Sequence, residues 1–465
     1  MVREKQVSPG ELVRAHYEQI ERFNTVLNAF IDLRREAALA EAAGIEKKLA
    51  NGEDAGPLSG VPISIKSCID VAGMKCEAGS KLRAGNVPSY DAVLVQRLKQ
   101  AGAIVLGVTN TPEFLMAYET DNLLYGRTSN PWNLGYSAGG SSGGESAAIA
   151  ACMSACGVGS DGGGSIRVPA HFTGICGLKP TPGVIPSTGH FPVGVGPFAV
   201  TGQVGPMART IADLKLVLRV TAGADIGDPM AGPYRLNEPS DLSNLTIGFF
   251  EDDSIHSVTP ETRQAVQSAV KALSGQGYIV EPFRSDSLER ARELWYNVFC
   301  RFSGLAFDPL LKGREDELHF LLRDLRRLQS REEPLTAEEV LFTQFERDTL
   351  RESFVRQMDR HPILILPVST GPAFRHGAMG WTHDERPETF VETMVYSQWF
   401  NLLGLPAAVV PVGKSPQGLP IGVQIVGRPF EEYSVCTIAE AIEKVFTFQE
   451  PPLIGVGNQH ATSTK

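Results

Sequence analysis

The sequence predicts an α/β fold with sheet and helices in layers. Two observations carry this: short apolar runs of strand length recur along the chain, and amphipathic helical patterns separate them. A third is the composition, 42% apolar and 21% charged over 465 residues. That is enough chain to bury a large core.

Ser8 and Glu11 form a capping box with Pro9 at the first helical position. A helical stretch is expected from there to about residue 51, broken near residues 24–28. Buried strands are expected at 61–66, 103–109, 245–250, 278–282, 363–368, 407–412 and 421–426. Amphipathic helices are expected at 91–102, 209–222 and 260–275. Residues 311–360 carry 22 charged side chains in fifty, and Thr336 with Glu339 makes a second capping box. Apolar Leu341 and Phe345 follow at helical spacing. The segment reads as solvated helices outside the sheet, or more sharply as a helical lid. With no repeat or low-complexity linker, the chain is expected to be one domain, 1–465, with a triad-bearing core at 60–210 and a helical insertion at about 285–360.

The 43 basic and 53 acidic residues give a net charge of −10, with no basic block. That argues against nucleic-acid binding, which needs clustered Lys and Arg. No apolar run reaches the ~18 residues that cross a bilayer, and none near Met1 resembles a secretion signal. Cysteines stand at 68, 76, 152, 156, 176, 300 and 436, an odd number without metal-site spacing. Cys152 and Cys156, four apart, are expected on one buried helix face. Free thiols suggest a reducing, cytoplasmic setting. No metal and no cofactor is expected.

Eighteen of the 47 glycines fall within residues 131–205. Glycine is needed where φ is positive or where groups approach closely. Two serine-bearing glycine loops lie here, Gly139-Gly140-Ser141-Ser142-Gly143-Gly144 and Asp161-Gly162-Gly163-Gly164-Ser165-Ile166-Arg167. A small-residue helix is expected between them at 145–156. The first loop fits G-x-S-x-G, but residues 131–135 make a poor strand to lead into a nucleophile elbow. Residues 157–162 fit G-x-G-x-x-G, but no acid follows between Gly162 and Ala212, as a dinucleotide site requires. A serine hydroxyl is a weak nucleophile without a base. Glycines before Ser165 allow backbone N–H groups to converge as an oxyanion hole does. The local sequence supplies no base.

The run GGSSGGESAAIAACMSACGVGSDGGGSIRVPAHFTGICGLKPTPG resembles the signature of the amidase signature family. So do Gly60-Val61-Pro62-Ile63-Ser64-Ile65-Lys66 upstream, Asn110-Thr111-Pro112-Glu113 and Gly126-Arg127-Thr128-Ser129-Asn130-Pro131 in the middle, and Gly205-Pro206-Met207-Ala208-Arg209 and Gly404-Leu405-Pro406-Ala407 downstream. The likeness spans nearly the whole chain and is weakest over about 225–395. PTPGVIPSTGHFPVGVG looks most like the fatty acid amide hydrolase branch, type 2. The resemblance implies a large mixed twisted sheet sandwiched between helices, and a Ser–cis-Ser–Lys triad: Lys66 as base, Ser141 as bridge, Ser165 as nucleophile. Taken singly, a lysine ending a strand or a serine in a glycine loop is ordinary; the triple in family spacing changes that reading. A lysine acts as a base only when neutral, and burial favours the neutral form. Gly162, Gly163, Gly164 and Ser165 would donate N–H groups to the oxyanion. Ser142, Asp161 and Arg167 would brace the loops.

By the same resemblance, residues 114–118, with Leu115, Met116 and Tyr118, and Gly140 lie at the substrate pocket. Aromatic clusters at Trp295, Tyr296, Phe299, Phe302 and Phe307, and at Tyr396, Trp399 and Phe400, are candidates for an apolar pocket or for core. The expected activity is hydrolysis of hydrophobic amides, with esters and carbamates as further small-molecule substrates, by a monomer or homodimer. Two other readings stay open: the amidase subunit of a tRNA-dependent amidotransferase, and a catalytically silent binding protein.

Overall fold

A computed structural model describes residues 2–454 except 3, 235–241, 243–244, 286–287, 330–332, 334, 379–381, 384–385 and 388–390. Eleven strands make one sheet: β1 (Phe30–Leu33), β2 (Pro62–Lys66), β3 (Ile104–Thr109), β4 (Cys156–Asp161), β5 (Cys176–Lys179), β6 (Gln203–Ala208), β7 (Thr246–Phe249), β8 (Ile279–Pro282), β9 (Ile363–Pro367), β10 (Ala407–Lys414) and β11 (Pro420–Gly427). Their spatial order is β1-β3-β2-β4-β6-β5-β10-β11-β9-β7-β8. β3, β2 and β4 run parallel, as do β9, β7 and β8. The strands between these groups pair antiparallel. The sheet is therefore mixed, and β2, β3, β4, β9 and β11 are buried at every residue. Burial on both faces explains why β3 and β9 read as near-continuous apolar runs.

Alternation along the strands separates two cores. Ile63, Ile65 and Val105 point one way, onto helices Val93–Gln100, Ile211–Thr221, Pro260–Ser274 and Glu432–Glu443. Ile104 and Leu106 point the other way, onto helices Pro9–Leu27, Arg35–Ala50 and Gly143–Ala150. The Ser8–Glu11 capping box is formed, and the amino-terminal helix breaks at Asn28, which adopts a left-handed conformation.

The glycine-rich stretch departs from expectation. Helix Gly143–Ala150 stops well short of residue 156, Cys152 has φ 55° and Cys156 opens β4, so the two thiols share no helix face. All seven cysteines are free. The unexpected strands β4, β5 and β6 arise because glycine is a poor strand former in isolation, while close packing demands it here. A Cβ at Gly159 would lie 2.7 Å from Ser142 Oγ, and one at Gly157 would overlap the Glu145 carboxylate. Glycine on this face lets helix Gly143–Ala150 press directly onto β4.

The insertion is helical: Ala291–Trp295, a π turn over Tyr296–Arg301, then Phe302–Leu311, Phe320–Gln329 and Ala337–Gln357. The Thr336–Glu339 capping box is present. Its last helix turns a largely charged and aromatic face to solvent. Leu341, Phe342 and Phe345 are more than half exposed, while Arg347, Leu350 and Phe354 face inward. Unsatisfied carbonyls decide the orientation. Past helix Val395–Leu402 the next N–H groups go to Trp399, Phe400 and Asn401 O, which leaves Leu402 O and Leu403 O to side-chain donors. Arg347 Nε donates to Leu402 O at 2.8 Å and Arg351 Nε to Leu403 O at 2.9 Å.

Arg347→Met should therefore destabilise the protein by about 1–3 kcal/mol, the cost of an orphaned buried acceptor. Phe342→Ser should stay within about 0.5 kcal/mol, as surface changes do. Thermal melts of the two variants check the assignment of faces.

Candidate active site

Lys66 ends β2 and is fully buried. Its Nζ donates to Ser141 Oγ at 2.7 Å and to Ser160 Oγ at 3.1 Å, with Ser160 O at 3.4 Å. Burial pushes its pKa down to about 8, against the pull of Cys68, Asp161 and Glu145. The neutral amine is thus accessible near physiological pH.

Ser141 follows a cis Gly140–Ser141 peptide bond. Thr111 Oγ1 donates to Ser141 O at 2.8 Å. A Cβ at Gly140 would stand 2.6 Å from Ala117 O, so glycine lets this loop lie against the 117–119 backbone. Ser142 N–H donates to Ser165 O at 3.1 Å and joins the two glycine loops. Ser142 Oγ also lies 3.3 Å from both Ser160 N and Ser160 O.

Asp161 organises the second loop. Its carboxylate accepts from Gly164 N at 2.7 Å, Ile166 N at 3.1 Å and Arg167 N at 3.3 Å, and from Arg167 Nε and Nη2 at 3.0 Å each. Arg167 also reaches Gln424 Oε1 at 3.1 Å and Asn401 Oδ1. Both charged side chains are wholly buried. Burial alone would raise the Asp161 carboxyl, but Arg167 and the loop N–H groups outweigh it and hold it well below the usual carboxylate range. Gly164 has φ 118°, which a side chain would strain.

The expected oxyanion donors are not equivalent. Gly164 N–H is committed to Asp161 and so leaves that set. The N–H groups of Gly162, Gly163 and Ser165 make no hydrogen bond among the described residues.

Ser141, Ser165 and Gly162 line one cavity with about 510 Å³ of empty space, part of it open to solvent. Leu115 and Met116 line it as expected, with Phe114, Phe198 and Phe299. Among the described residues no arginine or lysine lines it. Tyr118 and Gly140 are not at its wall. Tyr118 lies behind the second loop, its hydroxyl donating to Gly163 O at 2.8 Å and accepting from Gln398 at 3.0 Å. Of the two aromatic clusters, the first divides between Phe299 at the cavity and Phe302 in the core. The second, Tyr396, Trp399 and Phe400, is wholly core.

Three neighbours had no signal in the sequence. His190 lines the cavity, with Nε2 3.5 Å from Cys68 Sγ. Burial raises the Cys68 thiol, but His190 and Lys66 reverse this and leave it below its ordinary value. Glu145 is fully buried and accepts from Ser64 Oγ and, at 2.7 Å, from Thr109 Oγ1. Burial pushes its pKa up to about 7 against those two hydrogen bonds. These contacts join residues distant in sequence, so no local pattern announces them.

A family model described as Amidase matches residues 11–436. The chain belongs to the amidase family. It is an enzyme of that family, a hydrolase of amide carbon–nitrogen bonds. A glutamyl-tRNA(Gln) amidotransferase subunit from Carboxydothermus hydrogenoformans is 32% identical, over 97% of this chain and 96% of that one. An acylamidase from Rhodococcus erythropolis is 32% identical, over 94% and 92%. A bacterial aryl acylamidase of the amidase signature family superposes with TM-score 0.88 at 25% identity, covering 97% and 96%. Fatty acid amide hydrolase is among the similar structures without standing out from them. Among the described residues of this amidase, no helix is long and apolar enough to cross a membrane.

Asp161→Asn should cost about 3–5 kcal/mol, because it strands the Arg167 charge in the interior. A fall in melting temperature larger than that of Arg347→Met is the expected result.

Proposed function

We propose that Ser165 is the nucleophile, Lys66 the base and Ser141 the bridge between them, and that this amidase works through an acyl-serine. The carrying observation is a fully buried lysine 2.7 Å from Ser141 Oγ, with Ser141 and Ser165 on the wall of one cavity. Neutral Lys66 takes a proton from Ser141 as Ser141 takes one from Ser165. Ser165 Oγ bonds to the carbonyl carbon. The C–N bond breaks as the proton returns through Ser141 to the departing amine, which leaves poorly unless protonated. Water then releases the acyl group by the reverse relay. Gly162, Gly163 and Ser165 N–H groups receive the oxyanion. Asp161, Arg167 and Ser142 hold the loops in register.

Two readings of the substrate have separate support. The name of the glutamyl-tRNA(Gln) amidotransferase recurs among the matched relatives, so the names favour that context over a free-standing hydrolase of hydrophobic amides. In it, the acyl-serine step frees nitrogen from an amide for use with partner subunits. The cavity wall supports the second reading. Phe114, Leu115, Met116, Phe198 and Phe299 suit an apolar acyl or aryl group, and among the described residues no arginine or lysine at the wall meets a substrate carboxylate. Hydrolysis of acyl p-nitroanilides and of glutamine by the isolated chain separates the two. Turnover of the anilides, lost in Ser165→Ala, supports the hydrophobic-amide reading. Glutamine turnover, or none until partner subunits are added, supports the amidotransferase reading.

The buried lysine sets the pH dependence. Below about 8 the protonated form of Lys66, which cannot accept, comes to dominate, so kcat/KM for an amide should rise about tenfold per pH unit well below that point and level off above it. Lys66→Ala should reduce amide hydrolysis more than hydrolysis of the matched ester, whose leaving group needs less protonation. Equal losses would contradict the assignment.

A further inference from the structure

The helical insertion reaches the glycine loop through two stacked aromatic side chains. Trp295 and Phe299 stack with centroids 5.1 Å apart and planes 17° from parallel. The Trp295 indole N–H donates to Gly162 O at 2.9 Å. A Cβ at Gly163 would lie 2.5 Å from Trp295 Cζ2, and one at Gly162 would overlap the Phe299 ring. Missing side chains at 162 and 163 are thus filled by rings from the insertion.

This contact bears on one peptide unit. A trans peptide is planar, and its C=O and N–H point in opposite directions. Holding Gly162 O towards the indole therefore turns Gly163 N–H away from it. That N–H is unengaged among the described residues, while the next one, Gly164 N–H, is held by Asp161. The 162–163 unit has glycine on both sides, so no side chain resists its rotation. The indole N–H is the hydrogen bond that fixes it.

We propose that Trp295 is a positioning residue, which locks the Gly162–Gly163 peptide so that Gly163 N–H is presented to the oxyanion, and that the insertion thereby completes the catalytic centre. This rests on Ser165 being the nucleophile. Phe299 supports the indole from the cavity side.

Trp295→Phe keeps a ring over Phe299 and removes the N–H. The kinetic readout is kcat and KM separately. The second readout is affinity for an aryl trifluoromethyl ketone, whose carbonyl becomes a tetrahedral oxyanion on the serine, against a planar amide that only competes for the cavity. The expected result is a kcat lower by about 10–100-fold, somewhat less than removal of a donor. KM and planar-amide affinity should stay within about twofold, and ketone affinity should fall by the same factor as kcat. Unchanged kcat and ketone affinity would overturn the proposal. So would a loss of activity that follows a lowered melting temperature with ketone affinity intact. If Trp295→Phe does not fold, benzothienylalanine at 295 removes the N–H at constant shape and carries the same expectations. Wild-type enzyme forming no ketone adduct on Ser165 would overturn the underlying reading, and the proposal with it.

Discussion

A lysine buried among serine oxygens, with no carboxylate bonded to it among the described residues, is the constraint on which the site depends. An acid beside Lys66 would stabilise the ammonium and end the proposed use of Lys66 as a base. The nearby acids are occupied elsewhere. Asp161 is bound to Arg167 and to three loop N–H groups. Glu145 is held by Ser64 and Thr109 and pushed up to about 7. The ion pair that shapes the second glycine loop thus also keeps a carboxylate from capturing the lysine. The sheet supplies the dryness: β2 lies between β3 and β4, buried at all five residues.

Close packing accounts for the glycines around it. Glycine in β4 admits the helix that carries Glu145, and Gly140 admits the 117–119 backbone. Gly162 and Gly163 admit rings from a segment more than 130 residues away. The proposed oxyanion donors are what remains when the other backbone groups of the loop are accounted for. Gly164 N–H goes to Asp161, Gly163 O to Tyr118 and Gly162 O to Trp295. The insertion is accordingly part of the site on its inner side, while its outer helix keeps Phe342 and Phe345 in solvent.

The parts of the fold legible in the sequence are those governed by burial on both faces. Strands β3 and β9 are apolar runs, β2 and β11 are apolar apart from Ser64, Lys66 and Gln424, and their flanking helices have clear periodicity. The glycine strands β4, β5 and β6 were hidden because packing partners, absent from any local window, make glycine favourable there. Helical spacing at Leu341 and Phe345 does not say which face of that helix turns inward, because two arginines needed at the carbonyl end of another helix decide it. At the site, a long signature singles out Lys66, Ser141 and Ser165; the structure brings Lys66 Nζ to Ser141 Oγ and sets Ser141 and Ser165 at one cavity, and their roles are the proposal. Leu115 and Met116 fall at the cavity and Tyr118 behind it. Trp295, His190 and Glu145 reach the site through contacts made only on folding. The commitment of Gly164 N–H to Asp161 follows from loop geometry that composition does not encode.

The most direct test of the central claim is to quench wild-type enzyme during turnover of a slow aryl ester and locate the retained acyl mass by peptide mapping. The account predicts one acyl group, on Ser165. An acyl group on Ser141 or Cys68, or none under conditions of turnover, would contradict it.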